Sequence, residues 1–138
     1  MANGPSGDYE YQTVFNLTGL DPSTAVLTGQ WATDDPGVNI YINSQPTGNT
    51  IDDTPSYISN PTPPYTYSQW TRFTISSGFV AGVNTLDFVV YNIPNSGPNP
   101  AGLRVEISGS ADPVPEPASL MLIGAGFVAL GMFRGRKV

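Results

Sequence analysis

The stretch between residues 44 and 68 carries the side chains best suited to bind a ligand. It contains Tyr57, Tyr65 and Tyr67, and Trp70 follows almost at once, while five prolines interrupt the stretch. Aromatic faces bury the apolar C–H faces of sugar rings, and proline stiffening lowers the ordering cost of binding. A connection this long is usually functional or disordered. We therefore predict sugar binding by these four aromatic residues. The alternative is that the rings only pack on the prolines and the sheet edge.

Two adjacent carboxylate pairs, Asp34–Asp35 and Asp52–Asp53, form a second candidate site. Hard oxygen ligands of this kind suit Ca²⁺, but aspartates in turns also bond nearby backbone N–H groups. No recognised calcium-loop spacing is present, so calcium remains an alternative and no other metal or cofactor is predicted. We predict that Asp34, Asp35 and Asn43 contribute hydrogen bonds to a bound sugar.

The absence of two residue types argues against catalysis. The chain has no His and no Cys, which removes the commonest general base and the common nucleophilic triads. Two carboxylates flanking a glycosidic bond would suffice in principle. However, surface aspartates in turns rarely acquire the raised pKa that a general acid needs. We therefore expect a protein that is not an enzyme.

Charge is distributed unevenly along the chain. Residues 1–117 hold all eleven acidic residues and only two basic ones, Arg72 and Arg104, for a net charge of −9. Such a segment would repel phosphate backbones, so nucleic acid is excluded as a partner. Only 12% of residues are charged, while Gly and Pro number 15 and 14, which is typical of an extracellular all-β domain. Intrinsic disorder is the competing interpretation, and the alternating apolar runs described below argue against it.

The sixteen residues 118–133, ASLMLIGAGFVALGMF, carry no charge. As a helix they would span about 24 Å, against roughly 30 Å for the hydrocarbon core, and snorkelling basic side chains can make up the difference. We predict a transmembrane helix here, with a buried core helix or a plain anchor as alternatives. Its apolar side chains include Ala118, Leu120, Leu122, Phe127, Leu130 and Phe133. The basic residues Arg134, Arg136 and Lys137 would hold the C-terminus in the cytoplasm.

A short proline-rich stretch, Val114-Pro115-Glu116-Pro117, directly precedes the apolar segment. The order of this stretch, the apolar helix and the basic end resembles the PEP-CTERM sorting signal of Gram-negative bacteria. The resemblance implies export, anchoring in the inner membrane, and cleavage near Pro-Glu-Pro by a membrane-embedded exosortase. It also implies release to the cell surface and association with extracellular polysaccharide. Pro115 and Pro117 would keep the recognition segment extended.

Alternating apolar residues in the body of the chain predict an all-β fold, a jelly roll or β-sandwich. Leu27 and Trp31 share one face of a strand, and Val38, Ile40 and Ile42 share one face of the next. Six strands are predicted in all, at residues 9–17, 25–33, 38–43, 69–75, 85–92 and 103–109. A jelly roll needs eight strands, and MANGPSGDYEY at the N-terminus lacks the features of a secretory leader. We therefore expect an N-terminally truncated domain whose first strands lie upstream of Met1.

Three segments are similar to the galactose-binding-like β-sandwich of bacterial surface proteins. They are AVLTGQWATDD (25–35), VNIYIN (38–43) and GVNTLDFVVYN (82–92). This resemblance implies a non-catalytic fold that binds sugar or another ligand. One departure is Asn43-Ser44 where Asn-Gly is usual, which weakens the hairpin signal at that point.

The sequence thus predicts four regions: a sandwich ectodomain (1–110), a proline-rich linker (111–117), a transmembrane helix (118–133) and a basic cytoplasmic tail (134–138). The leading functional hypothesis is an exported, exosortase-processed surface or matrix protein that associates with exopolysaccharide. The alternatives are a structural matrix or biofilm component without a defined ligand, and an accessory fragment of a larger glycosidase.

Overall fold

The computed structural model describes residues 2–51, 66–94 and 99–115, and these residues form an all-β fold. Two single-turn 3₁₀ helices, Pro22–Thr24 and Thr66–Ser68, interrupt the strands. The strands are β1 (Ala2–Asn3), β2 (Gly7–Asn16), β3 (Val26–Thr33), β4 (Gly37–Ile42), β5 (Gln45–Pro46), β6 (Thr71–Ile75), β7 (Val83–Asn92), β8 (Pro100–Ala101) and β9 (Leu103–Ser110).

Two antiparallel sheets face each other. One has the strand order β2-β7-β4-β5 and the other β6-β3-β9, while β1 and β8 form a small separate pair. The predicted all-β, sandwich-like architecture is therefore confirmed, and all six predicted strands form. The sequence missed β1, β5 and β8, because two residues are too few to show an alternating pattern.

The core lies between the two sheets and is built on aromatic contacts. The Trp31 ring on β3 lies 5.7 Å from the Phe88 ring on β7, measured between centroids. Phe73 on β6 meets the same Phe88 ring edge-on at 5.9 Å. The other buried members of this cluster are Leu27, Ile40, Ile42, Ile51, Ile75 and Leu86. Inward-facing positions on four strands thus supply one shared core.

The start of β4 departs from the predicted alternation. Gly37 pairs with Val90 and Asn39 pairs with Val89, so Val38 is the extra residue of a β-bulge. The bulge turns the Val38 side chain outward, where it is 38% exposed, and the prediction that it shares the inward face of Ile40 was wrong. Glycine is needed beside the bulge, because a Cβ atom at Gly37 would collide with the Trp31 ring.

The β4–β5 hairpin forms despite its weak sequence signal. Asn43 and Ser44 are the two loop residues, and both have positive φ angles, 49° and 65°. Two-residue hairpins of type I′ require positive φ at both central positions, a conformation that asparagine tolerates. The Asn43 side chain adds long-range support, since its Oδ1 accepts a hydrogen bond from the Thr85 N–H at 2.9 Å.

The sandwich has two distinct ends. The crossover end carries the connection from β3 to β4, which passes from one sheet to the other. It includes Thr33, Gly37, Asn92 and Leu103. The exit end, from which the chain leaves toward residue 116, includes Asn16, Val26, Val83 and Ser110.

The chain after β9 stays attached to the exit end. The Asp21 N–H donates to the Asp112 carbonyl at 2.8 Å, and the Val114 N–H donates to the Gly19 carbonyl at 3.0 Å. Leu20 and Pro113 form an isolated β-bridge between these two hydrogen bonds. The first residues of the predicted linker are therefore fixed to the loop between β2 and β3.

Candidate functional site

A cleft of about 520 Å³ opens at the crossover end, between the Thr66–Ser68 turn and the start of β9. Its volume falls within the range of small-ligand pockets. Two predicted ligand-binding residues, Asp34 and Tyr67, contribute to its wall. The lining residues are Ala32, Asp34, Tyr67, Ser68, Gly102, Leu103 and Arg104.

Arg104 organises this cleft. Its Nη2 donates to the Tyr67 carbonyl oxygen at 2.7 Å, and its guanidinium carbon lies 4.5 Å from the centroid of the Trp70 ring. The second contact is a cation–π interaction. One arginine on β9 therefore holds the Tyr67 backbone and the Trp70 ring beside the cleft, and both aromatic side chains are exposed.

The sequence contained a signal for Arg104 that the prediction did not use. Arg104 alternates with Leu103 and Val105, whose side chains pack against the core, so its own side chain must point outward. It is also one of only two basic residues among residues 1–117. A cation at an outward strand position is rare in this acidic domain, so the sequence pointed to Arg104 and Arg72 as the two candidates.

Asp34 lies in the wall of the cleft but is buried, which corrects the expectation of a surface aspartate. The β3–β4 connection passes between the sheets, and the Asp34 N–H donates to the Gly102 carbonyl at 3.1 Å. Desolvation by burial raises the pKa of the Asp34 carboxyl above its usual range. A carboxyl in this position can accept hydrogen bonds when ionised and donate one when protonated.

Asp35 points into a different environment from its neighbour. Its Oδ2 accepts from the Ile93 N–H at 3.3 Å and from Asn99 Nδ2 at 3.1 Å. Asn99 Nδ2 also donates to Asn92 Oδ1 at 3.0 Å. Asp35 is fully buried and does not line the cleft. Its carboxylate instead joins the residue directly after β7 to the residue directly before β8.

Asn43 lies at the exit end, away from the cleft. Its Nδ2 donates to the Gly78 carbonyl at 2.9 Å and to Asn84 Oδ1 at 2.7 Å. These hydrogen bonds hold the β4–β5 turn against the loop that precedes β7. The structure therefore does not bring Asn43 together with Asp34, Tyr67 and Trp70.

Several predicted site residues lie outside the described residues. They are Tyr57, Tyr65, Asp52, Asp53, Glu116, Pro117, Ala118, Leu120, Leu122, Phe127, Leu130, Phe133, Arg134, Arg136 and Lys137. Of the sorting motif, Val114 and Pro115 are described, and both are exposed. Within residues 2–51, 66–94 and 99–115, no three acidic side chains gather as a metal site would require. The same ranges contain no helix with the length and apolar character needed to cross a bilayer.

Comparison with known proteins identifies the tail. Residues 113–137 match the PEP-CTERM protein-sorting motif, which confirms the predicted sorting signal and supports an exosortase substrate that is exported. No curated protein and no solved structure shows a significant match to the chain. The motif match covers the tail alone, so the resemblance of the sandwich to galactose-binding-like domains stays a prediction.

Proposed function

We propose that this exosortase substrate is a surface protein whose sandwich binds extracellular polysaccharide at the cleft, without catalysis. The arrangement that carries the proposal is Arg104 held between the Tyr67 carbonyl and the Trp70 ring. Before processing, the tail holds the protein in the inner membrane with its basic end in the cytoplasm. Cleavage near Pro115 by exosortase then releases the sandwich to the cell surface.

The chemistry of the cleft suits a saccharide. Guanidinium N–H groups, a carboxyl and a hydroxyl are supplied by Arg104, Asp34 and Ser68, and they can bond the hydroxyl groups of a sugar. Two exposed aromatic side chains provide apolar surface for its C–H faces. Arg104 occupies one face of Trp70, so a sugar would stack on the opposite face or on Tyr67.

The cleft is also held in shape before any ligand arrives. Arg104 is fixed by one hydrogen bond and one cation–π contact, so little side-chain freedom remains to be lost on binding. Preorganisation of this kind raises affinity by lowering the entropic cost.

Binding without hydrolysis is supported by the composition of the cleft wall. Glycosidases place two carboxyl groups on either side of the bond that they cleave. Among the described residues, Asp34 is the one carboxylate that lines the cleft. We therefore propose a binding protein rather than a glycosidase.

The proposal is tested by retention of the full-length chain, kept in detergent micelles, on polysaccharide prepared from the matrix of its native host. Arg104→Ala and Trp70→Ala each remove part of the fixed arrangement, and we expect each to weaken binding by about tenfold or more, roughly 1.4 kcal/mol. Arg72→Ala is the matched control, because Arg72 is the other arginine of the domain, is exposed, and lies on β6 outside the cleft wall.

Each outcome decides between the proposed function and its alternative. Weaker retention of the two cleft variants, with Arg72→Ala unchanged and all proteins folded, supports saccharide binding at the cleft. Equal behaviour of all four proteins would contradict it and favour a structural matrix component without a defined ligand.

A further inference from the structure

We propose that the exit end of the sandwich rests on the lipid bilayer for as long as the tail remains attached. Three valines at this end, Val80, Val83 and Val114, form what we call the valine face. This inference rests on the proposed function, since it requires the apolar tail to be held in a membrane. It goes beyond that function by stating which surface of the folded domain contacts the bilayer and how the domain is oriented there.

The valine face consists of three strongly exposed apolar side chains. Val80, Val83 and Val114 are 48%, 61% and 52% exposed. Single exposed apolar residues are ordinary on protein surfaces, so exposure alone would mean little. Their common location is what distinguishes these three.

Backbone hydrogen bonds bring the three valines to the two sides of one loop. On one side, the Leu17 N–H donates to the Gly82 carbonyl at 2.8 Å, next to Val83. On the other side, the Gly19 carbonyl accepts from the Val114 N–H at 3.0 Å. Only Thr18 separates these two anchoring points along the chain.

The loop before β7 is held firmly in place, so the exposure of Val80 is a fixed feature. Asn84 is fully buried, and its Oδ1 accepts from the Val80 N–H at 2.9 Å. Its Nδ2 donates to the carbonyls of Val80 at 2.8 Å and Gly82 at 2.9 Å. A buried amide thus satisfies the backbone while the valine side chain stays in solvent.

The valine face is uncharged in a domain that is otherwise strongly acidic. Residues 76–83, SSGFVAGV, and residues 13–20, TVFNLTGL, contain no charged side chain. The nearest carboxylates along the chain are Asp21, Asp112 and Glu116, which flank these uncharged segments and Val114. Anionic headgroups repel a domain of net charge −9, so a surface of uncharged apolar side chains is the part of the domain best able to contact a membrane.

The length of the connection restricts where the exit end can lie. Val114 is four residues before Ala118, the first residue of the apolar segment, and four extended residues span at most about 14 Å. The headgroup region of one leaflet is roughly 5–8 Å thick. With the apolar segment in the bilayer, Val114 therefore lies within about 14 Å of the hydrocarbon boundary, at the headgroups or a few ångströms above them, and this places the valine face beside lipid.

The absence of cysteine from the chain makes a direct test practical. Val83→Cys and Val38→Cys are labelled with an environment-sensitive fluorophore, and the full chain is reconstituted in phosphatidylcholine vesicles containing spin-labelled lipid. Val38 is the matched control, because it is also an exposed valine but lies at the crossover end. We expect quenching by the spin-labelled lipid to be several-fold stronger at position 83 than at position 38.

The outcomes separate this inference from the proposed function. Flotation with the vesicles and selective quenching at position 83 support both. Flotation with equal quenching at the two positions overturns the lipid contact and leaves the anchored precursor intact. Failure to float overturns the anchored precursor and the lipid contact together.

A second variant tests the lipid contact of the valine face with the fluorophore at a different position. Val83→Asp places a charge on an exposed side chain, so the fold should tolerate it. With the fluorophore at Val80→Cys, we expect this change to reduce quenching by about half or more, because a carboxylate resists entry into the headgroup boundary. Unchanged quenching would contradict the lipid contact.

Discussion

The two ends of the sandwich use carboxylates in opposite ways. At the crossover end, Asp34 is buried, and desolvation raises the pKa of its carboxyl. At the exit end, Asp21 accepts hydrogen bonds from the Ser23 hydroxyl and N–H at 2.7 and 2.9 Å, which lower the pKa of its carboxyl. Burial makes ionisation of the Asp34 carboxyl beside the cleft unfavourable, whereas the Asp21 carboxylate is solvated and caps a turn.

The ends also differ in how they satisfy buried backbone groups. The crossover end uses the Asp35 carboxylate together with Asn92 and Asn99, while the exit end uses the neutral amides of Asn43 and Asn84. Neutral amides hold a loop in place without adding charge. The loop before β7 is therefore held without a charged side chain, as the proposed lipid contact of the valine face requires, whereas the loops of the crossover end are held by a buried carboxylate.

The largest change in stability is expected from a substitution in the core, which supports both ends of the sandwich. Trp31→Ala removes a fully buried ring that contacts Phe88 and lies against Gly37. We expect a loss of about 3–5 kcal/mol in the free energy of unfolding, measured by denaturant titration of the full chain. Val38→Ala, at an exposed position, should change that free energy by less than about 0.5 kcal/mol. Similar values for both variants would contradict the assigned core.

A change at the exit end should act on that end alone. Asn84→Leu keeps the size of the side chain but leaves the Val80 N–H and carbonyl without their partner, at an expected cost of about 1–3 kcal/mol. Hydrogen exchange should accelerate at the Val80 amide and remain unchanged at the Ile93 amide, which Asp35 holds at the crossover end. Equal acceleration at both amides would show that the two ends are not independent.

The smallest effects concern pH, and their signs should be opposite at the two ends. Burial raises the folded-state pKa of Asp34, so the folded protein favours the protonated carboxyl. The contribution of this carboxyl to the free energy of unfolding is therefore complete below the unfolded pKa and is lost as pH rises through the folded pKa. D34N removes this loss, so the variant should gain stability relative to wild type as pH increases from acid to neutral.

Asp21 provides the control of opposite sign. Its folded-state pKa is lowered, so its contribution is present above the unfolded pKa and is lost as pH falls through the folded pKa. D21N should therefore lose stability relative to wild type as pH increases, in the same series of thermal melts. Slopes of the same sign for D34N and D21N would contradict the contrast between the two ends.

Local patterns in the sequence predicted the strands and the sorting motif well, because both are encoded by neighbouring residues. Leu86, Phe88 and Val90 alternate along β7 and all three side chains are buried, as expected. The prediction failed at Val38, where a bulge depends on the close approach of Gly37 to the Trp31 ring. Contacts of that kind cannot be read from spacing.

The candidate site depended more heavily on long-range contacts and was predicted less completely. Asp34 and Tyr67 were predicted to bind a ligand, but Arg104, which bonds the Tyr67 backbone carbonyl across 37 positions of sequence, was missed. The adjacent pair Asp34 and Asp35 was assigned a shared role, yet only Asp34 lines the cleft. Which way each carboxylate points is set by the passage of the chain between two sheets, which local patterns do not encode.

The central claim is that this chain is exported and loses its tail. The most direct test is the intact mass of the protein recovered from its native cell surface, together with the sequence of its C-terminus. The account predicts a chain that ends near Pro115-Glu116-Pro117 and lacks the apolar segment. A surface protein that retains Arg136 and Lys137 would contradict the account.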